Sequence, residues 1–566
     1  MSHISIYEQR ILSGRIFRLL LIHPAQHYDE QLKCSCLPFT IDNAPSFEAL
    51  SYVWGCPTPA VEVLCNGLPF SIQPALANAL SRVRLQHTTR VVWADAICIN
   101  QKDFAERNHQ VTLMGSIYLS ATKVIVWLGI ADAEHTKRAL EVVDRIGSGS
   151  DPSIEVFTPE VCASLVELFD RPWFKRIWCV QEIQLARDAL VLCGQYEVSG
   201  EKLRRAASWI FDKTSGIKAD EQLTTLLRSV DIGPSDIMFQ KQEGDLLWTL
   251  QSVCEFKSSD PKDKVYGILS LVSPREEAQA IDIDYGKSVG AVYADTVMAV
   301  IQLHSKLSAL AFVSHPPDYD GLDEYRSWAP RWDNETPAFA FGFPERSNQW
   351  NAGGRDLVSL TEEIQAIPGA LHLKGVIFDT VLEVYEVVMD IETGAQENVI
   401  HPFLEIYNEI CCGPNAQDRE QILARTVAAG TYNDKNLEDL DAAMRDRYYL
   451  AFERVMLRLA QLEYKGTEGD CGHDIDSKIF EALAYQCCKQ RRFFWTREGS
   501  LGLGPQCMRV EDVVVVLYGG NTPYVLRPRG DRFLFLGQAY IDNIMHGEIM
   551  IDLHAGMKQE QTFCLI

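Results

Sequence analysis

Residues 47–55 read Phe47-Glu48-Ala49-Leu50-Ser51-Tyr52-Val53-Trp54-Gly55. A short, nearly continuous apolar run that stops at a glycine is the pattern of a buried strand meeting a turn. Downstream, Pro74 opens a segment with Leu76, Leu80 and Val83 at helical spacing, and proline suits a first helical turn, where its missing N–H costs nothing. A second apolar run, Val91 to Ala94, closes on Asp95. Asp103 and Glu106 have capping-box spacing, so a helix is expected from Phe104, with Val111, Met114, Ile117 and Tyr118 on its inner face. A third run, Lys123 to Leu128, ends at Gly129, and a fourth, Ala189 to Cys193, ends at Gly194. Helices are expected over 160–170 and 178–186, either side of Pro172. Strands alternating with helices predict an α/β fold with a parallel sheet, in strands 48–53, 91–95, 123–128 and 189–193. Function in such sheets gathers outside the carboxyl ends of the strands, where Tyr52, Trp54, Gly55, Asp95, Asn100 and Gln101 fall.

Beyond this region the pattern changes. The stretch to about residue 315 is mainly helical, and 330–356 is rich in Pro, Gly and Asn. Near the end, Val513 to Leu517, Tyr524 to Arg527 and Phe533 to Ile541 are β-rich runs separated by Gly519-Gly520-Asn521 and Arg529-Gly530-Asp531. They predict a small antiparallel sheet or partial barrel. The resulting division is an N-terminal segment 1–44, an α/β domain 45–200, a helical region 201–330, a connection 331–365 and an α+β region 366–566.

The 566 residues carry a net charge of −24. No basic stripe is visible, so nucleic acid is not an expected partner. The 16 cysteines are scattered, unlike those of a disulfide scaffold. The N-terminus is polar, and no apolar run is long enough for a membrane helix; the most apolar stretch, Tyr293 to Val313, is interrupted by His304, Ser305 and Lys306. These features predict a cytoplasmic chain without a membrane span. The approaches to metal-ligand spacing, Cys34-x-Cys36, Cys411-Cys412, Cys471-Gly-His473 and Cys487-Cys488, lack the paired C-x₂₋₄-C pattern of structural zinc, so no metal is expected. Phosphate-loop, dinucleotide-fingerprint and nucleophile-elbow motifs are also missing.

Three ordered blocks resemble the fungal heterokaryon-incompatibility (HET) domain: FEALSYVWG at 47–55, VVWADAICINQKDFAERNHQVTLMGSIYLSATKVIVWLG at 91–129 and RPWFKRIWCVQEIQLARDALVLCG at 171–194. SDPKDKVYGILSL at 259–271 and GGNTPYVLRPRGDRFLFLGQAYIDNIMHGE at 519–548 resemble segments that follow this domain in fungal proteins. The resemblance implies a role in non-self recognition and programmed cell death. It also implies an incompatibility partner or allelic variant, and self-association on activation. A remoter likeness is to TIR domains, which share, in order, an aromatic turn after one strand, Asp after the next, and a W-C-x-x-E helix. Here these are LSYVWG, VVWAD and Trp178-Cys179-Val180-Gln181-Glu182. Some TIR domains hydrolyse NAD with that glutamate. The likeness therefore implies Glu182 as the catalytic residue and NAD as substrate, with no bound cofactor.

Each candidate has a blander reading. Trp178 and Glu182, four apart, share one helix face, and a carboxylate beside an aromatic is poised for electrostatic work; the alternative is a surface Glu182 paired with Arg176 or Arg187. Trp54 beside Gly55 could stack on a planar ring, or Tyr52 and Trp54 could simply close the core. Asp95 and Asn100 could bind ribose hydroxyls, or cap their own loop. Arg107 could reach a phosphate, or lie on a solvated face. At the level of function, a TIR-like NAD glycohydrolase competes with a non-enzymatic interaction module that signals death through contacts, and with a paralogue that has lost activity.

Overall fold

The computed structural model describes residues 6–7, 13–130, 132–215, 226–227, 230, 232, 235–240, 244–322, 324–334, 338, 340–341, 350–354, 369–386, 402–411, 416–432, 435–465 and 475–566. They fall into two compact units, Met1–Ser288 and Val289–Ile566. Most of the 331–365 connection, and the Cys412 and Cys471-Gly-His473 positions, lie outside the described residues.

The first unit is built on nine strands: β1 Ile16–Ile22, β2 Lys33–Thr40, β3 Glu48–Tyr52, β4 Val61–Cys65, β5 Leu68–Ile72, β6 Arg90–Trp93, β7 Lys123–Trp127, β8 Ala189–Cys193 and β9 Tyr196–Ser199. Their order is β5-β4-β2-β1-β6-β3-β7-β8-β9. The four strands expected from the sequence, β6, β3, β7 and β8, lie side by side and run parallel. Strand β3 has parallel neighbours on both edges, and four of its five residues are buried, which explains its nearly continuous apolar sequence.

Five further strands complete the sheet. Strands β1 and β2 belong to it, so residues 16–40 are not a separate N-terminal segment. The apolar run Phe17–Ile22 was the available signal. Arg18 interrupts it, and its charge is matched by Glu106 at 2.6 Å, both side chains buried.

The α-helices described up to Ser215 are α1 Pro74–Val83, α2 Asp95–Cys98, α3 Phe104–Ser120, α4 Ala133–Gly147, α5 Pro159–Phe169, α6 Ile177–Gln184 and α7 Gly200–Ser215. Helix α3 starts where expected, with the Asp103 side chain accepting from the Glu106 N–H. The reciprocal half of the capping box is not made. The Glu106 carboxylate instead accepts from the Asn100 N–H at 2.7 Å and from Arg18. Helix α4 has no counterpart in the expected elements.

The second unit carries an eight-stranded sheet. Strands Val513–Leu517, Tyr524–Arg529 and Arg532–Gln538 form the antiparallel meander expected there. The long strand Leu371–Val384 pairs with Glu560–Leu565 on one side and Val513–Leu517 on the other, and Glu560–Leu565 meets Arg532–Gln538. These pairings close a five-stranded ring, which removes free strand edges. Irregularities at Ile377/Asp379 and Val381/Glu383 let the far end of the long strand continue onto Arg491–Thr496. Among the described residues, no helix is long and apolar enough to cross a membrane.

Candidate functional site

Helix α6 begins after a short 3₁₀ turn, Pro172–Lys175, and ends at Gln184. Trp178 and Glu182, one turn apart, both face a cavity of about 790 Å³, well within the range of small-molecule sites. Trp54, Gly55 and Asp95 line the same cavity. Gly55 has φ +71°, a left-handed conformation that ends β3 and favours a residue without a side chain. Five of the seven sequence candidates therefore converge on one concave surface.

Glu182 is 5% exposed, and among the described residues no ion pair joins it to Arg176 or Arg187, so the surface alternative is not what the fold builds. Its Oε2 accepts from Ser51 Oγ at 2.5 Å, and Ser51 Oγ accepts from the Trp173 indole N–H at 2.8 Å. Burial pushes the Glu182 carboxyl up to about 7, opposed by the Arg176 charge and by the Ser51 hydrogen bond. Glu182 is thus partly protonated and partly ionised near neutrality.

Asp95 is engaged on both oxygens. Oδ2 accepts from Trp54 Nε1 at 2.8 Å, and Oδ1 from the Ala96 N–H at 2.8 Å. It therefore fixes the Trp54 indole as a plane on the cavity wall. The Arg176 guanidinium lies 5.9 Å from the centre of that ring and donates to the Tyr52 carbonyl at 2.9 Å.

Two candidates fall outside the lining. Tyr52 is buried in the core, and Asn100 stabilises its own loop, its Oδ1 accepting from the Lys102 N–H at 3.3 Å. Arg107, read as a solvated helix residue, lines the cavity and lies 3.6 Å over the Tyr285 ring.

The far wall comes from the 259–271 block and its surroundings: Lys257, Ser259, Asp260, Asp263 and Tyr285. The buried Asp263 accepts from Tyr285 Oη at 2.6 Å, and burial raises its carboxyl above the ordinary range. The block stood out in the sequence as a motif, but nothing local assigned it to this site, and Tyr285 carried no signal. Among the described residues no group of three His, Cys, Asp or Glu side chains could hold a metal ion.

Residues 47–182 match the family model for the heterokaryon incompatibility protein (HET) domain. Residues 470–563 match the Het-6 beta-barrel domain, a range that takes in most of the closed ring. The whole chain is similar to heterokaryon incompatibility protein 6, OR allele, of Neurospora crassa, at 27% identity over 94% of each chain. No solved structure matches. The HET match contains Trp54, Asp95, Arg107, Arg176 and Glu182 but stops before Lys257, Asp263 and Tyr285.

Proposed function

We propose that this chain is a HET-domain protein and a fungal non-self recognition factor. Its output, death of the fused cell, comes from NAD hydrolysis at the strand-end cavity, triggered when an incompatibility partner or allelic variant drives self-association. The observation that carries this reading is the placement of Glu182, a buried carboxylate titrating near neutrality, in a cavity with the Trp54 and Trp178 rings. The TIR-like order of the motifs supports it.

In the reaction, the bond from nicotinamide nitrogen to ribose breaks and its electron pair leaves with nicotinamide. Water adds to the cationic sugar, giving ADP-ribose and a proton. An ionised Glu182 beside the sugar stabilises the developing positive charge, and Trp54, held by Asp95, offers a stacking face.

A second reading is favoured by one observation: Ser51 and Trp173 tie Glu182 into the core, as a structural brace would be tied. The domain would then act through protein contacts alone.

The test is incubation of the purified full chain with NAD, with and without enforced oligomerisation. Glu182→Gln is expected to lower the rate about 10²–10³-fold, the loss typical of one electrostatic group. Activity of the wild type should rise with pH through about 7 as the carboxyl ionises. Toxicity on expression without any NAD loss would establish the contact-only reading instead.

A further inference from the structure

The cavity walls bring together cations from within the HET match and from beyond it. Every carboxylate on its walls is engaged: Asp95 by Trp54 and the Ala96 N–H, Glu182 by Ser51, Asp263 by Tyr285, Asp170 by Lys175, and Asp260 by Lys262 at 3.6 Å. Three cations on the same walls, Arg107, Arg176 and Lys257, form no ion pair among the described residues. Asp95, Glu182 and Asp263 are held by neutral donors and face these cations without reaching ion-pair distance among the described residues, so the cationic N–H groups remain available to an anionic ligand.

Backbone contacts place Arg176 and Lys257 together. Residues 175–177 and 257 are zipped: the Lys257 N–H donates to the Lys175 carbonyl at 2.5 Å, and the Ile177 N–H to the Lys257 carbonyl at 3.0 Å. Arg176 and Lys257 thus sit side by side on neighbouring chain segments. The Arg107 guanidinium lies 3.6 Å over the Tyr285 ring on the far wall. Among the described residues, the Arg176 guanidinium donates through Nη1 alone, to the Tyr52 carbonyl. A planar guanidinium with free N–H groups matches the paired oxygens of a phosphate, and a nearby ammonium adds a point charge.

We propose that Arg107, Arg176 and Lys257 form a phosphate subsite, which makes the ligand of this cavity a nucleotide rather than a nucleoside or a free base. The inference rests on the proposed nucleotide chemistry of the site but does not require hydrolysis. Lys257 comes from beyond the HET match, so the segment after the domain completes the site and helps set its specificity.

The test is calorimetric titration of the full chain with ADP-ribose and with adenosine. The wild type should bind ADP-ribose more tightly than adenosine, and the difference should shrink with added salt. Lys257→Gln, at an exposed position, should weaken ADP-ribose about tenfold and leave adenosine unchanged. Arg107→Gln should do the same or more; if it disturbs the Tyr285 contact and unfolds the chain, the Lys257 variant decides alone. Equal ADP-ribose affinity in wild type and Lys257→Gln, or no preference of the wild type for ADP-ribose over adenosine, would overturn the subsite. Lys257-dependent ADP-ribose binding by a chain that leaves NAD intact would keep the subsite and remove the hydrolase. NAD consumption with an unchanged KM in Lys257→Gln would do the reverse.

Discussion

Glu182 shows how one residue carries opposite demands. A carboxyl pushed up to about 7 in the folded chain, against an ordinary 4.5, binds its proton more tightly folded than unfolded. Its favourable contribution is therefore complete below about pH 4.5 and is lost as pH rises to about 7. The shift corresponds to roughly 3 kcal/mol at 1.36 kcal/mol per unit. Above neutrality the buried charge weakens the fold while providing the ionised group that the proposed hydrolysis needs. Glu182→Gln keeps the acceptor for Ser51 and removes the charge. The variant is expected to match the wild type near pH 5 and to exceed it at pH 8 by up to about 3 kcal/mol, several degrees in thermal midpoint. Thermal unfolding at the two pH values measures this. A variant less stable than wild type by the same margin at both would mean that the carboxylate is a brace, and that its charge costs the fold nothing.

At the scale of elements, helix α3 is the joint between the HET match and the wall that follows it. Arg107, Val111 and Met114 on one of its faces line the cavity. At Gly115 an added Cβ would overlap the side chain of Ser270, in the 259–271 block. Ser270 is short and cannot swing far aside, so the block itself would have to shift. Alanine would gain up to about 1 kcal/mol in helix propensity, whereas overpacking costs about 1–3 kcal/mol. Gly115→Ala is therefore expected to lower the thermal midpoint despite its better propensity, and to weaken ligand binding by displacing the far wall. An unchanged or raised midpoint would show that the block yields without strain.

At the scale of the molecule, the first unit is larger than the family match: the sheet starts at Ile16, and the compact unit runs to Ser288. A fragment of residues 45–200 would lose β1 and β2, bare the edge of β6 and leave the buried Glu106 without Arg18. Removing one partner of a buried pair costs about 3–5 kcal/mol, and an open apolar edge invites aggregation. Residues 1–288 are expected to express as a soluble, cooperatively unfolding fragment, and residues 45–200 are not. Thermal unfolding of both decides; a soluble 45–200 fragment with the same midpoint would mean that the N-terminal strands are dispensable.

The sequence by itself determined the four central strands and the candidates at their ends. Short apolar runs stopped by Gly or Asp are local signals, and a parallel sheet places their carboxyl ends on one side. It also fixed the shared face of Trp178 and Glu182, because helical spacing is local. Only the tertiary structure decided which neighbours those residues meet. Ser51 lies 131 positions from Glu182, and Tyr285 sits opposite Arg107; such pairs are chosen by packing and leave no periodic trace. The same packing turned Tyr52 into the core, set Asn100 to capping its own loop, and drew β1 and β2 into the sheet, where a buried arginine that broke the apolar pattern found its carboxylate.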